Sequence, residues 1–159
     1  MLEQLLLTVL MTSVPLIFAA TGELVAERSG VLNLGVEGMM LMGAVAAFAT
    51  AFGTGNIWLA IIVGGLAGAL TGGVFALFAL GFATNQVATG LALTIFGTGL
   101  SGLVGAPLVG HAIDGLPQIT IPVLSNLPFV GALLFSLDPM AYLAVALLAG
   151  VAWFLKRTR

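Results

Sequence analysis

The few polar side chains that interrupt long apolar runs are the residues able to do chemistry here. Glu37 is an acid one to two turns into an apolar segment, VLNLGVEGMMLMGAVAAFATAF, that spans Val31 to Phe52. An ionisable group at membrane depth is costly, and it is by default a candidate for a solute path or a proton relay. The alternative is an interfacial position near Arg28 that only orients the helix. Asn33 lies four residues before Glu37, so a continuous helix would project both to one face. Gly38 follows at once, and the four residues Asn33, Gly35, Glu37 and Gly38 make a broken or locally unwound helix start the natural expectation. Gln86 and Thr89 stand three apart at the start of a later apolar run, where they either face a path or serve helix entry beside Asn85, a good N-cap residue. Thr94, Thr98 and Ser101 continue that run, and such hydroxyls commonly bond back to carbonyls of their own helix. His111 and Asp114 are three apart with no nucleophile near them, which is weak ground for catalysis. One histidine and no cysteine leave little for a metal site or a thiol nucleophile. Neither GxxxxGK[ST] nor HExxH occurs. Work against a gradient would need a partner that hydrolyses ATP, or an ion gradient.

The elements that must position these residues follow from composition. The chain has 159 residues, of which 60% are hydrophobic and 6% charged. Its mean hydropathy is +1.23. A soluble domain is about 25% charged, and a chain this short cannot hide so much apolar surface from water. Composition therefore excludes an ordinary globular domain, a disordered chain, a nucleic-acid binder and a charge-rich coiled coil. It predicts an all-α, polytopic helical membrane protein. A span takes about 20 residues, so about five transmembrane helices are expected.

The first span is read over Leu5 to Leu24, with a kink at Pro15. It lacks the basic start of a signal peptide, so a retained helix is expected. Glu23 to Gly30 reads as an exit, a turn and a re-entry into the second segment, whose helix is the one expected to be broken. Gly53 to Asn56 is a turn. Ile57 to Leu80 is the third span, with Gly64, Gly68 and Gly72 recurring every four residues as a ridge for close helix packing. Gln86 to Leu108 is the fourth, with a second ridge at Gly97, Ser101 and Gly105. Residues 109–139 are rich in turn and polar types and predict an external segment that lies along the membrane or re-enters it. Met140 to Leu155 is the last span. All four basic residues, Arg28, Lys156, Arg157 and Arg159, fall on one side if the C-terminus is cytoplasmic and the N-terminus outside.

The stretch from Pro15 to Gly43, PLIFAATGELVAERSGVLNLGVEGMMLMG, resembles a segment of the membrane permeases of ABC importers of the branched-chain amino acid and simple-sugar class, closest to the nucleoside and simple-sugar branch. The resemblance lies in Gly22, Glu23, Glu27, Arg28, Gly30, Val31, Asn33, Gly35, Glu37, Gly38, Met39 and Met40. Thr84 to Gly105, TNQVATGLALTIFGTGLSGLVG, and Ile121 to Phe135 are similar to two further stretches of that family. The resemblance covers almost the whole chain, read as a single permease domain over 1–159.

The resemblance implies alternating access with no bond chemistry in the permease and no cofactor of its own, since ATP is bound by partner ATPase subunits. The implied partners are ABC ATP-binding subunits, a second permease subunit, an extracytoplasmic solute-binding protein and the lipid bilayer, in a bacterial or archaeal cell membrane. Asn33, Glu37 and Gly38 would lie near the path or brace the broken helix, with Gln86 and Thr89 as further candidates. Members of the family are longer and continue with a cytoplasmic segment that contacts the ATPase. This length therefore predicts the N-terminal half of a permease, as a fragment, a split gene product or a remnant. A structural or assembly subunit and a small ion-coupled carrier or channel are the competing readings.

Overall fold

The computed structural model describes residues 2–117 and 137–158. Among these, five helices are long and apolar enough to cross a membrane. They are α1 (Leu2–Arg28), α2 (Val36–Thr54), α3 (Ile57–Ala76), α4 (Gln86–Gly105) and α5 (Pro139–Arg157). The shortest have 19 residues, about 29 Å at 1.5 Å per residue, which matches a hydrocarbon core of about 30 Å. Large apolar side chains point outward, as Leu70, Ile95 and Leu103 do at 72–74% exposure. Lipid is the solvent that makes such a surface stable. The expected external segment lies mostly outside the described residues. Its beginning, Val109–Pro117, is non-helical.

The chain divides into two compact units, Met1–Val25 with Leu116–Arg159 and Ala26–Gly115. In the first, Val14 of α1 is buried with Ala141 and Ala144 of α5, and Ile17, Phe18, Leu137 and Met140 pack around them. Small residues on α5 allow that approach. Pro15 lies inside α1 and has no N–H to donate to the Met11 carbonyl. Asp138 caps α5 by accepting from the Ala141 N–H at 2.8 Å, and Pro139 takes the first helical position, where a missing donor costs nothing.

In the second unit α2 is central and packs against both α3 and α4. The chain enters it through the end of α1. The helix runs on to Arg28, beyond the exit expected at Glu23, because its carbonyls are closed by a Schellman turn. Gly30 adopts φ +82°, the Val31 N–H donates to the Ala26 carbonyl, and the Gly30 N–H donates to the Glu27 carbonyl, both at 3.0 Å. Gly55 and Asn56 then join α2 to α3. Gly55 ends α2 at φ +67°, and the Asn56 side chain accepts from the N–H groups of Trp58 and Leu59, each at 3.1 Å. The end of α3 widens into a π-helical turn, Leu77–Gly81. The Thr84 hydroxyl and N–H both donate to the Phe78 carbonyl that this turn leaves open. A 3-10 turn, Ala106–Leu108, extends α4.

Glycines set how close α2 comes to its neighbours. A Cβ at Gly97 would stand 2.6 Å from the Gly38 Cα, and one at Gly38 2.5 Å from the Leu93 carbonyl oxygen. On the other side, a Cβ at Gly64 would stand 2.8 Å from the Ala47 Cβ and 2.9 Å from the Gly43 carbonyl oxygen. Apart from the Ala47 Cβ these atoms belong to backbone, and close backbone approach is what holds helices together in lipid. A Cβ at Gly68, Gly72 or Gly105 would meet α2 at ordinary distances of 3.5–3.6 Å, whereas one at Gly65 or Gly73 would find nothing within 4 Å.

Gly97→Ala is expected to destabilise the second unit by about 1–3 kcal/mol, because backbone must move to admit the methyl group. Gly99→Ala, with nothing within 4 Å, is expected to be neutral or slightly stabilising. Denaturant titration of the two variants in detergent compares them. Asn56→Ala is expected to cost about 1 kcal/mol in the same assay, through loss of the α3 cap.

Candidate functional site

The broken start of the second segment is the best-defined polar feature of the described residues. Val31–Gly35 is not helical, and α2 begins only at Val36. Asn33 therefore lies outside the helix, and the face that a continuous helix would share between Asn33 and Glu37 does not exist. The cause is local. The Asn33 Oδ1 accepts from the Gly35 N–H at 2.9 Å, an Asx turn that competes with helix. The Asn33 amide in turn donates to the Met39 sulfur at 3.6 Å.

A break of this kind leaves backbone groups that lipid cannot satisfy. Here α4 supplies the partners. The Gln86 Oε1 accepts from the Leu32 N–H at 2.8 Å, across 54 positions of sequence. The Thr94 hydroxyl donates to the Leu34 carbonyl at 2.8 Å, across 60 positions. Between these two bonds, Gly90 lets the backbones touch. A Cβ there would stand 2.7 Å from the Leu34 nitrogen. Val31 and Met39 then pack on Phe75, Ala79 and Leu93. The break is thus a segment pinned at both ends along the first two turns of α4 and seated on the α3–α4 core.

The structure brings Asn33, Gly38, Gln86 and Gly97 into this one region. Two other candidates lie apart. Glu37 is exposed in the first turn of α2, where a negative charge favours the helix dipole. Thr89 turns to α3, and its hydroxyl lies 2.8 Å from that of Thr84 and donates to the Asn85 carbonyl at 2.9 Å. The two threonines line a groove of about 350 Å³ with Phe75, Phe78, Leu93 and Phe96. Asn85 caps α4 by accepting from the Ala88 N–H at 3.0 Å. Thr98 bonds back to the Thr94 carbonyl at 2.8 Å and Ser101 to the Thr98 carbonyl at 3.2 Å.

Gly90 and Thr94 were not singled out as binding partners of the break by sequence reasoning. A signal was present for Gly90, which precedes Gly97 by seven residues and so shares its helix face. Thr94 looked like Thr98, a hydroxyl satisfied within its own helix, and only the unwound neighbour distinguishes them. The run Gly97–Gly102, GTGLSG, has the spacing GxGxxG, yet it lies within α4 with no strand before it, so it is not a dinucleotide-binding turn. His111 makes an edge contact with Phe52, ring centroids 4.6 Å apart.

Residues 5–159 match the family model described as branched-chain amino acid transport system / permease component. The "Putative glucose ABC transporter permease protein TsgC13" of Haloferax volcanii is 44% identical over 143 residues, which are 87% of this chain and 43% of that protein. The guanosine ABC transporter permease protein NupQ of Bacillus subtilis is 32% identical over 158 residues, 92% of this chain and 49% of that protein. The nucleoside ABC transporter permease protein NupC of Lactococcus lactis subsp. cremoris is 28% identical over 163 residues, with coverage of 96% and 51%. The chain spans about half the length of the curated relatives it matches. No solved structure matches it significantly. A polytopic helical chain matched along nearly its whole length belongs to the branched-chain amino acid transport system permease family.

Proposed function

We propose that this chain forms part of the transmembrane permease of an ATP-driven ABC importer that carries a nucleoside or a simple sugar. The observation that carries this reading is the match along nearly the whole chain to permeases named for glucose, guanosine and nucleosides. Transport is by alternating access. A solute-binding protein outside delivers the cargo, two permease subunits form the path, and two ATP-binding subunits drive the switch. The chain makes and breaks no bond in its cargo. Its C-terminus and the turn after Arg28 lie in the cytoplasm, its N-terminus and the segment over 109–139 outside, which puts every basic residue on the inner face. Residues 1–159 act as one permease domain.

In this reading the break at Val31–Gly35 keeps a short non-helical backbone at membrane depth beside the path. Asn33, Gly38 and Gln86 hold its shape. Glu37 and Thr89 flank it, at the α2 start and in the neighbouring groove. Non-helical backbone is tolerated at such depth only where protein or a water-lined cavity satisfies it, so the residues that pin it set the geometry of the path.

Uptake of labelled guanosine and glucose by proteoliposomes holding the complete importer tests the assignment. ATP-dependent uptake of either solute is expected, and its absence for both would overturn the reading. Gln86→Leu leaves the Leu32 N–H without its partner, which costs about 1–3 kcal/mol. That variant is expected to assemble and to transport more slowly. Gln86→Glu keeps an acceptor at the same place and is expected to retain more uptake than Gln86→Leu.

A further inference from the structure

At the end of α3 two hydrogen-bonding patterns compete for one carbonyl. The Phe82 N–H donates to the Leu77 carbonyl at 3.0 Å, the i→i+5 closure of a π-helical turn. In an α-helix the same N–H would donate to Phe78. Thr84 occupies that carbonyl instead, through its N–H at 3.1 Å and its hydroxyl at 2.9 Å. It reaches back because Ala83 turns the chain in the left-handed region, at φ +52°. We propose that residues 77–84 form a two-position latch coupled to the break at residues 31–35. In the position seen here Thr84 holds the Phe78 carbonyl and the turn is π-helical. In the other, the Phe82 N–H takes that carbonyl, the turn winds into α-helix, and Thr84 is released. The role of this movement in transport rests on the importer reading above.

Three observations carry it. The first is strain. Ala83 is the one residue other than glycine with a positive φ among the described residues. That conformation costs an L residue free energy which its surroundings must offset. Glycine would adopt it freely, so the alanine leaves the held position less stable than this backbone could be. The released position lets Ala83 return to negative φ. The second is freedom to move. Leu77, Phe78, Leu80 and Phe82 are 45–65% exposed, so rewinding them displaces little packing within the chain.

The third is coupling. Ala79 is the buried residue of the turn. It lies in one cluster with Phe75 and Leu93, against which Val31 and Met39 pack. Val31 opens the break, and the Met39 sulfur accepts from the Asn33 amide. A π turn advances less around the helix axis per residue than an α turn. Rewinding therefore rotates Ala79 against the cluster that seats the break. The held position also ties the turn to α4, since the Thr84 hydroxyl lies 2.8 Å from that of Thr89 and both line the groove of about 350 Å³. Release of Thr84 breaks that tie and opens the end of the groove.

Residue-resolved hydrogen exchange on the complete importer in lipid nanodiscs tests the latch. It is measured without nucleotide and in the state trapped by ATP and vanadate. The Thr84 N–H is bonded to Phe78 only in the held position, whereas the Phe82 N–H is bonded in both, so the two amides separate release from simple fraying. Ala83→Gly is expected to slow exchange at Thr84 by about threefold or more, the relief at φ +52° exceeding the freedom that glycine adds to the released chain. Thr84→Val keeps the N–H and loses the hydroxyl, and is expected to speed exchange at position 84. The Phe82 amide is expected to stay slow in all three chains. Thr84 exchange is expected to differ between the two nucleotide states, and Ala83→Gly to lower ATP-dependent uptake at unchanged assembly. No slowing at Thr84 in Ala83→Gly would overturn the latch, and so would Phe82 and Thr84 amides that open together. Equal Thr84 exchange in both nucleotide states of an importer that transports would overturn its part in transport. Absence of ATP-dependent uptake by the unaltered importer would overturn the importer reading, and exchange in Ala83→Gly still decides the latch.

Discussion

Non-helical backbone must find its partners elsewhere in the protein wherever water cannot supply them, and the second compact unit, Ala26–Gly115, holds such a segment between α1 and α2. Five residues, Val31–Gly35, leave the helical path. Among their backbone groups, the Val31 N–H is met by Ala26 through the Schellman turn, the Gly35 N–H by the Asn33 side chain, and the Leu32 N–H and the Leu34 carbonyl by Gln86 and Thr94 of α4. Each unmet group would cost several kcal/mol in lipid. Two bonds from α4 hold the break against that helix, and Gly90 and Gly97 leave room for the approach.

Close approach and hydrogen bonding thus depend on each other. The Gly38–Gly97 contact brings α2 and α4 to backbone distance, and that distance places Thr94 at the Leu34 carbonyl. On its other side, α2 meets α3 at Gly64 and Gly43. Helix association in lipid has no hydrophobic driving force and rests on such packing and on interhelical hydrogen bonds. The polar break is consequently part of what holds the second unit together.

Much of the fold was legible in the sequence because the bilayer imposes a length and a polarity on every span. The limits of α3 and α4 fall within a few residues of the hydropathy reading, and the start of the second segment is visible as a break in Asn33, Gly35, Glu37 and Gly38, of which Glu37 and Gly38 fall inside α2. What was not legible depends on distance in sequence. Nothing local marks Gln86 as the acceptor for Leu32, 54 residues away, or separates Thr94 from Thr98. The π-helical turn at Leu77–Gly81 and the extension of α1 to Arg28 also escaped, since both follow from how carbonyls are closed rather than from polarity. The expected shared face of Asn33 and Glu37 failed because it assumed the helix that Asn33 itself interrupts.

We propose that this chain works within an ATP-driven import assembly. Affinity purification from gently solubilised native membranes, with every co-purifying chain identified by mass spectrometry, tests it most directly. Recovery of an ABC ATP-binding subunit together with a second permease chain or the remaining permease helices is expected. Recovery of this chain alone, as a monomer or a homo-oligomer, would contradict it.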